Sequence, residues 1–146
     1  MDISKIQNID KINFNGEYTP DCVTPKSEVK MPSKVLPSIR DAIIATGLKD
    51  GMTISFHHHF RNGDYIVNMV MDEIAKLGIK DLTVAASSLA SCHAPLIEHI
   101  KNGVITHIET SGMRGELAEA ISRGLMDTPV VFRSHGGRAD AIANDE

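Results

Sequence analysis

The chain has 146 residues, of which 42% are hydrophobic and 23% charged, and this length and composition fit a single globular domain. The net charge of −4 argues against nucleic acid and anionic membrane surfaces as partners, because both normally require a basic face. Two Cys are too few for a secreted disulfide framework and no stretch is apolar enough to span a membrane, so a cytoplasmic location is expected.

Residues 1–37 are predicted to form an irregular arm, because four of the six Pro lie there. Pro interrupts both helices and central strands. Such an arm either wraps another part of a larger protein or is a poorly ordered terminus, and the sequence leaves both possibilities open. The regular pattern begins at Ser38, so an α/β domain is expected over residues 38–146.

From Ser38 onward, predicted helices and strands alternate. The first helix covers Ser38–Thr46 and is expected to end at Gly47. Further helices are predicted over residues 64–77, 95–101 and 116–125, and strands over 52–56, 82–86, 104–109 and 129–132. The apolar face of helix 64–77 is expected to consist of Ile66, Val70, Ile74 and Leu77. Four strands alternating with helices predict an α/β fold with a parallel sheet and flanking helices.

The segments that follow the four predicted strands are candidate binding loops, because ligands of open parallel α/β sheets bind outside the carboxyl ends of the strands. All four segments are rich in polar side chains or Gly, and three contain Arg. Arg pairs bidentately with carboxylate and phosphate, so these loops predict a site for a small polyanion. The segments are residues 57–64, 87–93, 110–115 and 133–138.

Three consecutive histidines, His57 to His59, allow several interpretations. His57 and His59 would share a face of an extended backbone and could chelate a metal ion. No Cys or carboxylate lies at a spacing that completes such a site, so no metal is expected. Acid–base catalysis or hydrogen bonding to an anionic substrate suits imidazole near neutral pH. Strand-end histidines satisfied by their neighbours are the remaining possibility.

Two Gly-containing segments, Ser111–Gly115 and Ser134–Arg138, each place small residues beside Arg. Gly lets backbone N–H groups approach an anion closely, although ordinary turns after strands have the same composition. Neither segment matches a P-loop or a dinucleotide-binding fingerprint. Cys92 beside His93 is interpreted as a buried Cys, since adjacent side chains usually point apart and no third group orients the pair.

Taken in order, the strand-end motifs resemble the citrate lyase alpha chain family. These motifs are GMTISFHHHFRNGD at 51–64, AASS at 85–88, HAPL at 93–96, ETSG at 109–112 and RSHGGR at 133–138. The similarity runs from about Ser38 to the end of the chain, and it implies a CoA-transferase-like α/β fold with two related halves. Because family members are much longer, the chain is expected to be an N-terminal fragment.

The resemblance also implies an activity and partners. An alpha chain of this family exchanges the acyl group of an acetyl thioester for citrate, which gives a citryl thioester and acetate. The thioester is carried on a dephospho-CoA-derived prosthetic group of the gamma (acyl carrier) subunit, or on acetyl-CoA, so no directly bound cofactor is expected. A beta subunit then splits the citryl thioester to oxaloacetate. The chain is thus expected to act within a complex that cleaves citrate to oxaloacetate and acetate.

The resemblance and the loop positions together suggest roles for individual residues. His58 and His59 are the expected catalytic residues, which polarise the thioester carbonyl or stabilise its oxyanion. Arg61, with Arg133 or Arg138, is expected to bind citrate carboxylates. The other expected substrate-binding residues are His57, Asn62, Gly63, Ser87, Ser88, Ser111, Gly112, Arg114, Ser134, His135, Gly136 and Gly137.

Two other functions remain open from the sequence. The chain could be a non-catalytic ligand-binding module or an inactive fragment on the same fold. A sugar-phosphate isomerase of similar fold would need a general base, and none of the four strand-end segments presents an obvious Asp or Glu for that role.

Overall fold

A computed structural model describes residues 33–57 and 64–144. The strands are β1 (Thr53–Phe56), β2 (Leu82–Ala86), β3 (Ile105–Thr110) and β4 (Val131–Phe132). The helices are α1 (Ile39–Thr46), α2 (Ile66–Lys76), α3 (Leu96–Lys101), α4 (Glu116–Ser122) and α5 (His135–Ala143). The strands form one parallel sheet in the order β1-β2-β3-β4, which confirms the predicted α/β architecture. Most of the predicted arm, residues 1–32, lies outside the described residues.

The hydrophobic core lies on the first face of the sheet, where α1 to α4 pack. The strands contribute Val84 and Ile108, which are paired in register and almost completely buried. From the helices come Ile43, Met71, Ile74, Leu96, Ile100 and Leu117. Burial of this apolar surface is the main favourable term that holds the strands and helices together.

Helix α1 has the boundaries that its sequence predicts. Ser38 is the N-cap, and its Oγ accepts a hydrogen bond of 3.1 Å from the backbone N–H of Asp41. Gly47 follows the helix in the left-handed conformation with φ 70°, which a residue without Cβ adopts at little cost. The predicted end of the helix at Gly47 is therefore confirmed.

The apolar face predicted for α2 is partly wrong. Val67, Met71 and Ile74 face the core, whereas Ile66 is 55% exposed. Several apolar residues in this helix lie outside the predicted apolar face. The sequence alone therefore allows more than one apolar face, and packing on the sheet determines which one is buried. The helix also begins two residues later than predicted, at Ile66. Asp64 lies before the helix, and its Oδ1 accepts a hydrogen bond of 2.8 Å from the backbone N–H of Ile66.

The largest correction concerns residues 133–138, which the sequence presents as a loop. Only Arg133 and Ser134 connect β4 to α5, and the helix begins at His135. Ser134 is its N-cap, with Oγ accepting a hydrogen bond of 3.0 Å from the backbone N–H of Gly137. Gly136 and Gly137 lie in the first turn and concealed the start of this helix, because Gly has a low helix propensity, although the sequence predicts helical structure from residue 141 onward. No helix in the described part of the chain is both long and apolar enough to cross a membrane.

His93 lies in a 3₁₀ turn (Ser91–His93) and is fully buried, so it does not face the surface at the strand ends. Its Nδ1 accepts a hydrogen bond of 2.9 Å from the backbone N–H of Ala90. Because Nδ1 is the acceptor, the proton lies on Nε2, which donates to the carbonyl oxygen of Asp64 at 3.0 Å. His93 therefore ties the segment after β2 to the start of α2.

We expect His93→Phe to lower the free energy of unfolding by about 2–3 kcal/mol, because the buried N–H of Ala90 and the half-buried carbonyl oxygen of Asp64 lose their hydrogen bonds to the imidazole. Urea unfolding monitored by circular dichroism measures the loss. The matched control is His107→Phe, since His107 is exposed on β3 and its replacement is expected to change stability by less than about 0.5 kcal/mol. Equal losses in the two variants would contradict this role of His93.

Candidate functional site

Three polar side chains from different strand ends meet at the carboxyl edge of the sheet. His57 follows β1, Ser111 follows β3, and His135 begins α5 after β4. The ring centroids of His57 and His135 are 6.0 Å apart with the planes at 88°. Ser111 Oγ lies 3.3 Å from His135 Nδ1. These three residues are called the histidine cluster below.

An open cavity of about 250 Å³ lies beside the histidine cluster. The cavity is lined by Ser55, His57, His135, Arg138, Ala139 and Ile142. The walls therefore combine imidazole, hydroxyl and guanidinium groups with one apolar side. Such a concave surface with a few converging polar groups is typical of a small-molecule site.

Arg138 is buried in the wall of this cavity, with 7% of its surface exposed. Its Nη2 donates hydrogen bonds to Ser55 Oγ at 3.1 Å, to the carbonyl oxygen of Phe56 at 3.2 Å and to that of Ala85 at 2.9 Å. The guanidinium thus joins α5 to the carboxyl ends of β1 and β2.

The positive charge of Arg138 is not neutralised by direct contact with a carboxylate among the described residues. Burial lowers the pKa of its guanidinium, and the more distant charge of Glu109 opposes that effect. Nε of Arg138 is buried without a hydrogen-bond acceptor in the same part of the chain. The N-terminus of α5 adds further positive potential. This wall of the cavity consequently favours an anion.

Arg133 is placed differently from Arg138. Its Nε donates to Glu109 Oε2 at 2.8 Å, and both side chains are half-buried. Its backbone N–H donates to the carbonyl oxygen of Thr110 at 3.0 Å. Arg133 therefore already holds a carboxylate of the protein, and a ligand carboxylate would have to share it or displace Glu109.

The segment after β3 is fixed against the segment after β2. The backbone N–H of Leu89 donates to the carbonyl oxygen of Gly112 at 2.9 Å, and that of Arg114 donates to the carbonyl oxygen of Leu89 at 3.0 Å. Thr110 Oγ1 donates to the carbonyl oxygen of Gly112 at 2.9 Å. These bonds hold Ser111 where it meets His135.

The remaining predicted site residues fall into three groups. Ser87 is buried and Ser88 half-buried after β2, while Arg114 is exposed after β3. Ser134, Gly136 and Gly137 form the start of α5 rather than a loop. His58, His59, Arg61, Asn62 and Gly63 lie outside the described residues, so their positions relative to the histidine cluster stay predictions.

Sequence reasoning missed Ser55, Ala139 and Ile142 as lining residues of the cavity. The alternation of β1 would have identified Ser55, since it must point away from the core residues Ile54 and Phe56. Ile142 could be assigned to the cavity only from the position of α5, which returns to the carboxyl end of β1. Cys92 is half-buried and not fully buried as predicted, and burial raises the pKa of its thiol. Within residues 33–57 and 64–144, no three His, Cys, Asp or Glu side chains are grouped to hold a metal ion.

Comparison with known proteins identifies the family of the chain. The family model for the citrate lyase alpha subunit, CitF, matches residues 32–146. The citrate lyase alpha chain of Escherichia coli K12 is 50% identical over 145 residues, which are 99% of this chain and 26% of that protein. The corresponding chain of Haemophilus influenzae is 56% identical over 144 residues, which are 96% of this chain and 28% of that protein.

A solved crystal structure supports the same family assignment. The crystal structure of a citrate lyase alpha subunit from Streptococcus mutans, in complex with citrate, matches with a TM-score of 0.74 and 60% identity. The match covers 83% of this chain and 24% of that one. The chain therefore spans about a quarter of the length of the relatives it matches, and it belongs to the citrate lyase alpha subunit family.

Proposed function

We propose that this chain binds citrate at the histidine cluster and forms part of the acyl-transfer centre of a citrate lyase alpha subunit. The observation that carries the proposal is the convergence of His57, Ser111 and His135 beside the buried charge of Arg138. Citrate is a small polyanion, and this wall of the cavity favours an anion. The family membership and the citrate complex of the Streptococcus mutans relative support the same ligand.

The proposed reaction exchanges one acyl group for another. A carboxylate oxygen of citrate attacks the carbonyl carbon of an acetyl thioester, the carbon–sulfur bond breaks, and the sulfur is re-acylated by the citryl group as acetate leaves. The net reaction converts an acetyl thioester and citrate to a citryl thioester and acetate. The thioester is supplied by the gamma (acyl carrier) subunit or by acetyl-CoA, and the beta subunit consumes the product.

The residues of this chain would orient the reactants and stabilise charge. His135 and Ser111 offer hydrogen bonds to citrate, while Arg138 and the N-terminus of α5 supply positive potential. His58 and His59 are proposed to donate to the thioester carbonyl as negative charge develops on its oxygen. A well-placed donor of this kind typically contributes a factor of about 10²–10³ to the rate.

Replacing His58 and His59 by Ala tests the catalytic role directly. We use a chimera in which residues 1–146 replace the matching quarter of the Haemophilus influenzae alpha chain. Acetate release from acetyl-CoA in the presence of citrate is expected to fall by about 10²-fold or more in each variant. His107→Ala is the control, because His107 lies within β3 and not at a strand end. Unchanged exchange in His58→Ala and His59→Ala would contradict the role.

A non-catalytic binding module is the second candidate, which the amino-acid sequence leaves open. Calorimetry with citrate, set beside the exchange assay on the same chimera, distinguishes the two functions. Citrate binding with acyl exchange supports the transferase. Citrate binding without exchange, even with the rest of an alpha chain supplied, would identify a binding module.

A further inference from the structure

Glu109 is a half-buried carboxylate near the carboxyl end of β3. Its neighbour Ile108 belongs to the hydrophobic core, so the alternation of side chains along a strand places Glu109 on the opposite face of the sheet. Its register partners are Ala85 of β2 and Val131 of β4. Glu109 therefore lies between two strands, two residues before Ser111 of the histidine cluster.

Glu109 interacts with two arginines. Its Oε2 accepts a hydrogen bond of 2.8 Å from Nε of Arg133, and only 24% of its side chain is exposed. Glu109 also borders, together with Arg138, a small cavity of about 40 Å³. The charge of Glu109 raises the pKa of Arg138 against the larger, opposite effect of burial. One carboxylate is thus shared between two guanidinium groups.

These three side chains together carry one net positive charge, since two guanidinium groups face one carboxylate. Arg133 stands before Ser134, the N-cap of α5, and Arg138 lies within that helix. Because all three side chains are buried or half-buried, water and salt screen their charges less than those of exposed groups. The unbalanced charge therefore acts beside the helix that begins with His135 of the histidine cluster.

A carboxylate in this position has one of two roles. A carboxylate that braces the arginines preserves the shape of the site, and its loss weakens the binding of any ligand. A carboxylate that sets the charge lowers the affinity for anions, and its loss strengthens their binding in proportion to their charge.

The contacts of the two arginines favour the second role. Nη2 of Arg138 is held by three oxygens of β1 and β2, none of which belongs to Glu109. The backbone N–H of Arg133 donates to the carbonyl oxygen of Thr110 at 3.0 Å, so the start of α5 is tied to β3 without the carboxylate. Removing the charge of Glu109 therefore leaves both arginines attached to the sheet.

We propose that Glu109 limits how strongly this site attracts polyanions, because its carboxylate neutralises Arg133 and leaves a bound anion to meet one unbalanced guanidinium charge, that of Arg138. Glu109 acts through the two arginines and is therefore a positioning residue that determines specificity by charge. The inference rests on the proposed binding of citrate at the histidine cluster. Ionised citrate carries three negative charges and acetate one, so Glu109 weakens the binding of citrate more than that of acetate.

The test compares the chimera described above with its Glu109→Gln variant, which keeps the length of the side chain and one oxygen but removes the charge. At about pH 8, where all three carboxyl groups of citrate are ionised, we expect the variant to bind citrate at least tenfold more tightly. Acetate is expected to gain no more than about threefold, in keeping with its single charge. Calorimetric titration measures citrate binding, and displacement of citrate measures acetate binding.

Salt dependence and a matched control separate charge from shape. The gain in citrate affinity is expected to shrink between about 0.05 M and about 0.5 M sodium chloride, because salt screens charges. Glu73→Gln is the control, since the side chain of Glu73 is 25% exposed and pairs with Lys76 Nζ at 2.6 Å. It removes the same charge at similar burial from α2, on the core side of the sheet, and we expect citrate affinity to be unchanged.

A double variant tests the pairing of Glu109 with Arg133. Glu109→Gln together with Arg133→Met removes one charge of each sign, so we expect citrate affinity within about twofold of that of the unchanged chimera. Glu109→Gln alone is expected to lower KM for citrate without raising kcat, because the gain is made equally in the ground state. The double variant leaves neither partner unpaired, and it carries the test if urea unfolding shows that Glu109→Gln has lost the fold.

Four outcomes would overturn the inference while citrate binding at the histidine cluster stands. These are citrate binding to Glu109→Gln that is no tighter than to the chimera, equal gains for citrate and acetate, a gain independent of salt, and citrate binding at least tenfold weaker in the double variant. The last result would assign Arg133 a direct contact with citrate. Absence of citrate binding to the unchanged chimera would instead overturn the proposed function, and this inference with it.

Discussion

Gly115→Ala is expected to lower the free energy of unfolding by about 3 kcal/mol or more, from backbone strain and overpacking together. Gly115 has φ 79° and ψ −163°, a region that is essentially restricted to Gly. A Cβ at this position would also lie 2.9 Å from Ser91 Cα and 2.7 Å from Ser91 Oγ. Because one of these atoms is backbone, the contact cannot be relieved by a rotamer change alone.

The control for this variant is Gly124→Ala. Gly124 also has a positive φ, 92°, but a Cβ there would meet nothing within 4 Å. We expect a loss of only about 1–2 kcal/mol from the backbone conformation. Urea unfolding of both variants measures the difference. A loss in Gly115→Ala no larger than that in Gly124→Ala would contradict the close packing of the two segments after β2 and β3.

Arg138→Met is expected to lower the free energy of unfolding by about 2 kcal/mol, since hydrogen bonds from a charged donor contribute about 1.5–3 kcal/mol. The methionine keeps most of the aliphatic stem but leaves Ser55 Oγ and the carbonyl oxygen of Ala85 without this donor. Removal of a buried charge offsets part of the loss. Detachment of α5 from β1 and β2 is also expected to weaken citrate binding, because His135 begins that helix.

Arg123→Met is the matched control, since Arg123 is exposed and forms only an i,i+4 ion pair of 3.7 Å with Glu119. We expect its stability to change by less than about 0.5 kcal/mol. Thermal and urea unfolding give the comparison. The role of Arg138 is contradicted when Arg138→Met and Arg123→Met have the same stability and bind citrate equally well.

The parallel sheet was predictable because predicted strands and helices alternate along the chain from Ser38 onward. Ser38 and Gly47 mark α1 by chemistry that acts within a few residues. The boundaries of β4 and α4 were predicted too wide, because apolar residues continue beyond the last regular hydrogen bond. Local signals therefore predicted β1 to β4 and α1 to α4, with only approximate ends, whereas the start of α5 at His135 was missed.

The grouping of the candidate site residues was predictable, but their contacts were not. The carboxyl ends of parallel strands must lie at one edge, and this placed His57, Ser111 and His135 together. Arg138 was one of the arginines expected to bind a citrate carboxylate, whereas in the structure it is buried and donates to Ser55 Oγ and to the carbonyl oxygens of Phe56 and Ala85. Its contact with Ser55 joins residues 83 positions apart and depends on α5 crossing the face of the sheet opposite the hydrophobic core, which no local pattern reveals.

The proposal that citrate binds at the histidine cluster is tested most directly by calorimetric titration of citrate into the chimera and its His135→Ala variant. His99→Ala is the control, because His99 lies on α3 and pairs with Asp72 of α2 at 2.9 Å. We predict that His135→Ala weakens citrate binding at least tenfold and that His99→Ala leaves it unchanged. Equal affinity of the chimera and its His135→Ala variant would contradict citrate binding at this cluster.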